Sequence, residues 1–259
     1  MNVKLHSSVR GSGPDVVLLH GLFGSGNNLG ALARSLQQRY RVHSLDLPNH
    51  GRSAWLPRAS IGAMAAVVAG WLEEQGLENA TLVGHSLGGK IAMEIALSRP
   101  EFVCSLVVAD IAPTAYPPRH DAVFEALAAV AGTACRSRQE AAGRMADFLD
   151  EPGVIQFLLS SLQRADDGSY QWRFNLDGIR ADYPALCEAP PTDGTYPGPV
   201  LFIRGGRSEY IVEAHRTVIS ALFPRAGLKV MPECGHWLHA EQPDVFNRLV
   251  GRFLDARSA

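Results

Sequence analysis

The sequence has no apolar run approaching the roughly 18 residues that a helix needs to cross a bilayer. It has little charge bias: 24 Lys and Arg stand against 26 Asp and Glu in 259 residues, a formal net charge of −2. That balance excludes the basic stripe of a nucleic-acid binder and the acidic tail of a solvating segment. Cysteine is scarce. Cys104, Cys135, Cys187 and Cys234 form no C-x-x-C pair and fall at no zinc-ligand spacing. Free thiols are expected, with Cys104 and Cys234 as small buried hydrophobes in or beside apolar strands. Met1 to His6 lack the apolar core and the small-residue cleavage site of a secretory signal. A cytoplasmic protein with no membrane and no nucleic-acid partner is the expectation. Internal repeats and low-complexity tracts are missing too.

What is there is a rhythm. Asp15 to His20 is a short continuous apolar run bounded by turn residues, which predicts a buried strand. Asn28 to Gln38 carries Leu29, Leu32, Ala33 and Leu36 on one helical face. Arg41 to Asp46 predicts a strand, and Ile61 to Gln75 a helix that Gly76 ends. Ala80 to Val83 and Ser105 to Asp110 predict two more strands, with a helix from Lys90 to Arg99 between them. Strands alternating with helices mean a parallel sheet covered on both faces. The rhythm breaks from about Pro113 to Pro199. There His120 to Val130, Gln139 to Leu149 and Gly153 to Gln163 read as helices, and Tyr170 to Leu176 as extended. It returns with strands at Val200 to Arg204 and Leu228 to Pro232, and helices at Glu213 to Leu222 and Pro243 to Leu254. The expectation is an α/β core of residues 1–112 and 200–259, with a helical insertion of residues 113–199. Analogy with such folds makes the insertion a lid over the carboxyl ends of the strands, the alternative being a structural insertion or an oligomer contact.

The chemistry concentrates at Gly84-His85-Ser86-Leu87-Gly88-Gly89, between a strand and a helix. A G-x-S-x-G corner there holds a serine in a sharp turn with its hydroxyl pushed out. Ser86 needs a base and an orienting acid. Of nine histidines, His236 in Cys234-Gly235-His236-Trp237 is the best base, because its loop leaves the same sheet edge. His239 reads as structural or supporting, and His20 and His50 as braces of glycine-containing loops. The carbonyl under attack needs backbone N–H donors. Leu87 supplies one, and Leu22 in His20-Gly21-Leu22-Phe23-Gly24-Ser25 the other, with Phe23 as second choice. This loop carries no P-loop lysine and no dinucleotide glycine pattern.

These motifs, with Asp46-Leu47-Pro48-Asn49-His50-Gly51-Arg52-Ser53, resemble the α/β-hydrolase superfamily over essentially the whole chain. Asp110-Ile111-Ala112-Pro113, Gly153 to Leu159, Trp172-Arg173-Phe174-Asn175 and Gly235-His236-Trp237 are similar, more narrowly, to the bacterial YbfF-type esterases. The resemblance implies hydrolysis of small-molecule acyl esters or thioesters through an acyl-serine, with no metal and no cofactor. It also implies an acid in the loop after the lid, but Ser208 stands at that position. Asp110, at the end of the strand after the elbow strand, is the favoured acid; Glu209 is the alternative. Phe23 and Trp237, neighbours of Leu22 and His236, are expected to contact substrate. Tyr116, Phe124, Phe148, Phe157, Trp172 and Phe174 either line an acyl pocket or hold the lid together. Rival readings are a carbon–carbon bond hydrolase or cofactor-free peroxidase on the same triad, and a non-turnover ligand sensor. The sequence leaves oligomeric state open.

Overall fold

The computed structural model describes residues 3–258. Strands β1 (Ser7–Arg10), β2 (Asp15–Leu19), β3 (Arg41–Leu45), β4 (Ala80–His85) and β5 (Val103–Ala109) come first. Helices α1 (Gly30–Leu36), α2 (Ile61–Glu74) and α3 (Leu87–Ser98) alternate with them. The insertion follows: α4 (Asp121–Ala131), α5 (Arg138–Met145), α6 (Pro152–Leu159), a hairpin of β6 (Leu162–Arg164) and β7 (Tyr170–Trp172), and α7 (Leu176–Cys187). Then come β8 (Val200–Gly205), α8 (Arg216–Leu222), β9 (Ala226–Met231), α9 (Leu238–Glu241) and α10 (Pro243–Ser258).

Seven strands form one sheet in the order β1-β3-β2-β4-β5-β8-β9. Only β1 runs antiparallel to its neighbour. Successive side chains of a strand point to opposite faces, so each central strand feeds two cores. Val17 and Leu19 of β2 pack with α2, α3 and the insertion. Val16 and Leu18 pack with Leu32 and Leu36 of α1 and with Phe246 and Val250 of α10. Burying one such side chain is worth about 1.5–3 kcal/mol, against about 1 kcal/mol net for a ladder hydrogen bond. The apolar run of β2 therefore sets its place at the centre. Helix α2 starts where the Ser60 side chain accepts the Ala63 N–H, and stops before Gly76, whose φ is +65°. The outer strand β9 leaves Leu228 and Val230 about half exposed.

Three features depart from the sequence reading. The edge strand β1 carries no apolar alternation, and its pairing with β3 was not anticipated. Helix α7 begins at Leu176, at the end of the segment read as extended, and continues through Pro184. Cys104, expected buried, is exposed near the amino end of β5, where the register with β4 shifts. Cys234 is buried as expected.

The insertion is sewn to the core by hydrogen bonds. Lys90 of α3, only 3% exposed, donates from Nζ to the carbonyls of Cys187 (2.7 Å) and Glu188 (2.6 Å) at the end of α7. Burial pulls its pKa down to about 8. The Ala59 N–H donates to Asp182, and the Asn175 N–H donates to the Asn49 carbonyl at 2.9 Å.

Candidate active site

Ser86 ends the turn from β4 into α3 with φ +52° and ψ −117°. An L-residue is strained there, and tight packing on both sides holds it. A Cβ on Gly88 would meet the Leu19 carbonyl oxygen at 2.2 Å; one on Gly84 would meet the Gly88 oxygen at 2.3 Å. Only glycine permits this approach. The Ser86 N–H donates to the Ala109 carbonyl at 3.0 Å, tying the turn to the end of β5.

His236 Nε2 lies 3.0 Å from Ser86 Oγ. Its Nδ1 lies 2.8 Å from Asp110 Oδ2. A carboxylate accepts only, so Nδ1 carries the proton and Nε2 is the acceptor for the Ser86 hydroxyl. Asp110 is fully buried at the tip of β5, with φ +52°. Its Oδ1 accepts the Gly205 N–H at 2.8 Å, and its Oδ2 also accepts the Ser208 hydroxyl. Glu209, the other acid considered, is 82% exposed and faces Arg119 instead.

Buried imidazoles surround this line. His85 donates from Nε2 to the His236 carbonyl at 2.9 Å. Burial, then His239 and His236, hold its pKa well below the ordinary imidazole value. His239, in α9, packs on His85 with ring centroids 4.4 Å apart. Burial, then His236, lowers its pKa to about 4. His20 donates from Nδ1 to Gly21 O (2.8 Å) and accepts the Leu47 N–H at Nε2 (3.0 Å). His50 donates to Pro48 O and accepts the Phe23 N–H. Both brace backbone, and burial lowers both pKa values, that of His50 to about 3.

Leu22 and Leu87 flank Ser86 at a cavity of about 1110 Å³. Leu87 opens α3, so its N–H has no acceptor within the helix. The Phe23 N–H, the second choice for an oxyanion donor in that loop, is spent on His50. Phe23 and Trp237 both border the cavity, as do Tyr116, Phe148 and Phe157 of the insertion. Phe23 is only 3% exposed; its ring faces Phe124, Phe174 and His120. Trp172 lies away from the cavity. It donates from Nε1 to Leu127 O and stacks on Phe174, so it holds the insertion together. Tyr210 lays its ring 4.2 Å from that of His236. No sequence signal marked Tyr210, Lys90 or His120 beforehand. Among the described residues, no three His, Cys, Asp or Glu side chains gather as a metal site, and no helix is long and apolar enough to cross a membrane.

Known proteins share this arrangement of chain. Esterase YbfF of Escherichia coli is 41% identical over 93% of this chain and 92% of its own. The sn-1-specific diacylglycerol lipase ABHD11 of Mus musculus is 39% identical over 93% of this chain and 81% of its own. A solved marine microorganism esterase superposes with a TM-score of 0.92 at 33% identity, covering 97% of this chain and 99% of its own. The profile described as the alpha/beta hydrolase family matches residues 16–249. The chain therefore belongs to the alpha/beta hydrolase family.

Proposed function

We propose that the chain is a serine hydrolase cleaving small to medium acyl esters through an acyl-serine intermediate. The hydrogen-bonded line from Ser86 through His236 to Asp110 carries this reading. Relatives described as esterases and as a diacylglycerol lipase support carboxylic esters as the substrate class. Ser86 Oγ attacks the acyl carbon while His236 Nε2 takes its proton. Asp110 holds the Nδ1 proton and offsets the imidazolium charge. The carbonyl oxygen becomes an oxyanion, and the Leu22 and Leu87 N–H groups donate to it. The imidazolium protonates the leaving alkoxide as the acyl–oxygen bond breaks. Water, deprotonated by His236, then frees the acid and restores Ser86. Residues 113–199 act as a lid over this site, on a core of residues 1–112 and 200–259. Tyr116, Phe148 and Phe157 give the cavity an apolar wall suited to an acyl chain. Acyl thioesters follow the same steps.

A fluorophosphonate probe tests the reading. Ser86 is expected to be labelled one to one. Ser86→Ala abolishes labelling and turnover across p-nitrophenyl esters and acyl-CoA thioesters of graded length. A Ser86→Ala variant with wild-type turnover would end the proposal. Labelling at Ser86 without turnover of any substrate in the panel would assign the chain another reaction or a sensing role.

A further inference from the structure

Leu22 and Phe23 are the middle residues of a tight turn, closed by the Gly24 N–H donating to Gly21 O at 3.1 Å. Phe23, the third residue, has φ +62°. Glycine is the usual residue at such a place, because a side chain there is strained. Something must hold Phe23 in that conformation.

Every part of Phe23 is held. Its N–H donates to His50 Nε2 at 3.1 Å, and the His50 tautomer is fixed by its own bond to Pro48 O. Its carbonyl accepts the Ser161 hydroxyl at 2.6 Å. Ser161 is 3% exposed and sits between α6 and β6, 138 residues further along the chain. The ring lies 5.4 Å from Phe124 and 5.3 Å from Phe174, centroid to centroid, both in the insertion. Only His50 belongs to the core. Relaxing Phe23 to negative φ would turn the Leu22–Phe23 peptide, break its N–H bond to His50 and open the turn on which Leu22 sits.

We infer that Ser161 is a positioning residue for the reaction. Its hydroxyl pins the Phe23 carbonyl and so keeps closed the Gly21–Gly24 turn that presents the Leu22 N–H to the oxyanion. The inference rests on the function proposed above. It means the core's oxyanion hole is complete only while the insertion is seated. A misaimed donor weakens the charged transition state far more than the bound ester, so the loss belongs in kcat.

Ser161→Ala tests this with p-nitrophenyl esters and an alkylboronic acid that forms a tetrahedral adduct on Ser86. The kcat is expected to fall about 10-fold, less than the 10²–10³ for deleting a donor outright. KM stays within about two-fold, and boronate affinity falls in step with kcat/KM. The acid limb of the pH–rate profile does not move. A kcat within two-fold of wild type overturns the inference. So does a loss confined to KM with boronate affinity kept, which is what simple pocket damage produces. If Ser161→Ala does not fold by thermal melt, Phe124→Leu loosens the same residue from its ring side. The same split in that variant upholds the inference, and an unchanged kcat overturns it. Fluorophosphonate labelling of wild-type Ser86 separates the two failures: without labelling, the proposed function itself has failed.

Discussion

Strain divides the molecule unevenly. Phe23, Asn49, Ser86 and Asp110 all have positive φ, and each follows the carboxyl end of a strand, β2 to β5 in turn. In the insertion, among the described residues, only a glycine, Gly168, adopts positive φ. The insertion instead supplies contacts that hold the strained loops. Ser161 holds Phe23, the Asn175 N–H holds the Asn49 carbonyl, and Phe174 bridges to His50. This core edge carries four of the five described non-glycine residues with positive φ, Asn79 before β4 being the other. The relaxed insertion holds Phe23 and Asn49, and core strands hold Ser86 and Asp110. Changes at the edge should therefore strike the chemical step, and changes in the insertion's pocket wall should redistribute substrates.

The largest effect is expected at the edge. Asp110→Asn removes the acceptor that fixes the His236 tautomer. The fold should survive, because Asn can still accept the Gly205 N–H at Oδ1. The kcat should drop on the order of 10³–10⁴-fold, guided by the same change in a serine protease triad. Glu209→Gln, at an exposed site, should stay within about two-fold. Steady-state kinetics of both decide it: the reverse ranking would move the acid to Glu209.

That choice also marks how far the sequence could be read. The elbow, its flanking strand and helix, and His236 were legible because glycine spacing and apolar runs are local signals. Asp110 against Glu209 was not settled by spacing, because the answer depends on which strand end faces the base. Strand β1 was invisible because Ser7, Ser8 and Arg10 bring no apolar pattern; neighbouring β3 supplies the pairing. Helix α7 was hidden by Gly178 and Pro184, both poor helix formers that its tertiary setting tolerates. The bond from Ser161 to Phe23 spans the chain, and no local pattern encodes it.

The next effect concerns acid. His20, His50, His85 and His239 in the core, and His120 in the insertion, all have lowered pKa values, with burial the leading cause. His120 and His239 fall to about 4 and His50 to about 3. Unfolded, each takes a proton near pH 6.5. Below that pH the unfolded chain binds protons that the folded chain refuses, so stability falls as pH drops toward about 4. Each group contributes up to about 1.4 kcal/mol per pH unit over the window between its unfolded and folded pKa values. A typical domain has only about 5–15 kcal/mol in all. Cooperative acid unfolding above pH 4 is the expected result by circular dichroism. A melting temperature that stays level from pH 7 to 5 would contradict it. Because four of the five lie in the core, His120→Phe alone should recover only a minor part.

The smallest effect is expected in the insertion. Phe157 borders the cavity with its ring 5.9 Å from Trp237. Phe157→Ala should shift the ratio of rates on short and long acyl chains. One buried methylene is worth about 0.8 kcal/mol, so the ratio should move at most about four-fold per carbon. An equal loss on every chain length would show a wall that supports the site without reading the substrate, and would blur the contrast drawn above.

The seam between α3 and α7 is fastened by an amine on two peptide carbonyls, with no carboxylate in the bond. Carbonyls do not titrate, and a neutral amine still offers two N–H groups. The fastening therefore outlasts the charge of Lys90 when alkali removes it near pH 8. Salt, which loosens exposed ion pairs by screening, has little purchase on a buried bond of this kind. Acetylation of Lys90 would act differently. The amide keeps a single N–H and adds bulk, so one of the two carbonyls would be released and α7 pushed off its seat.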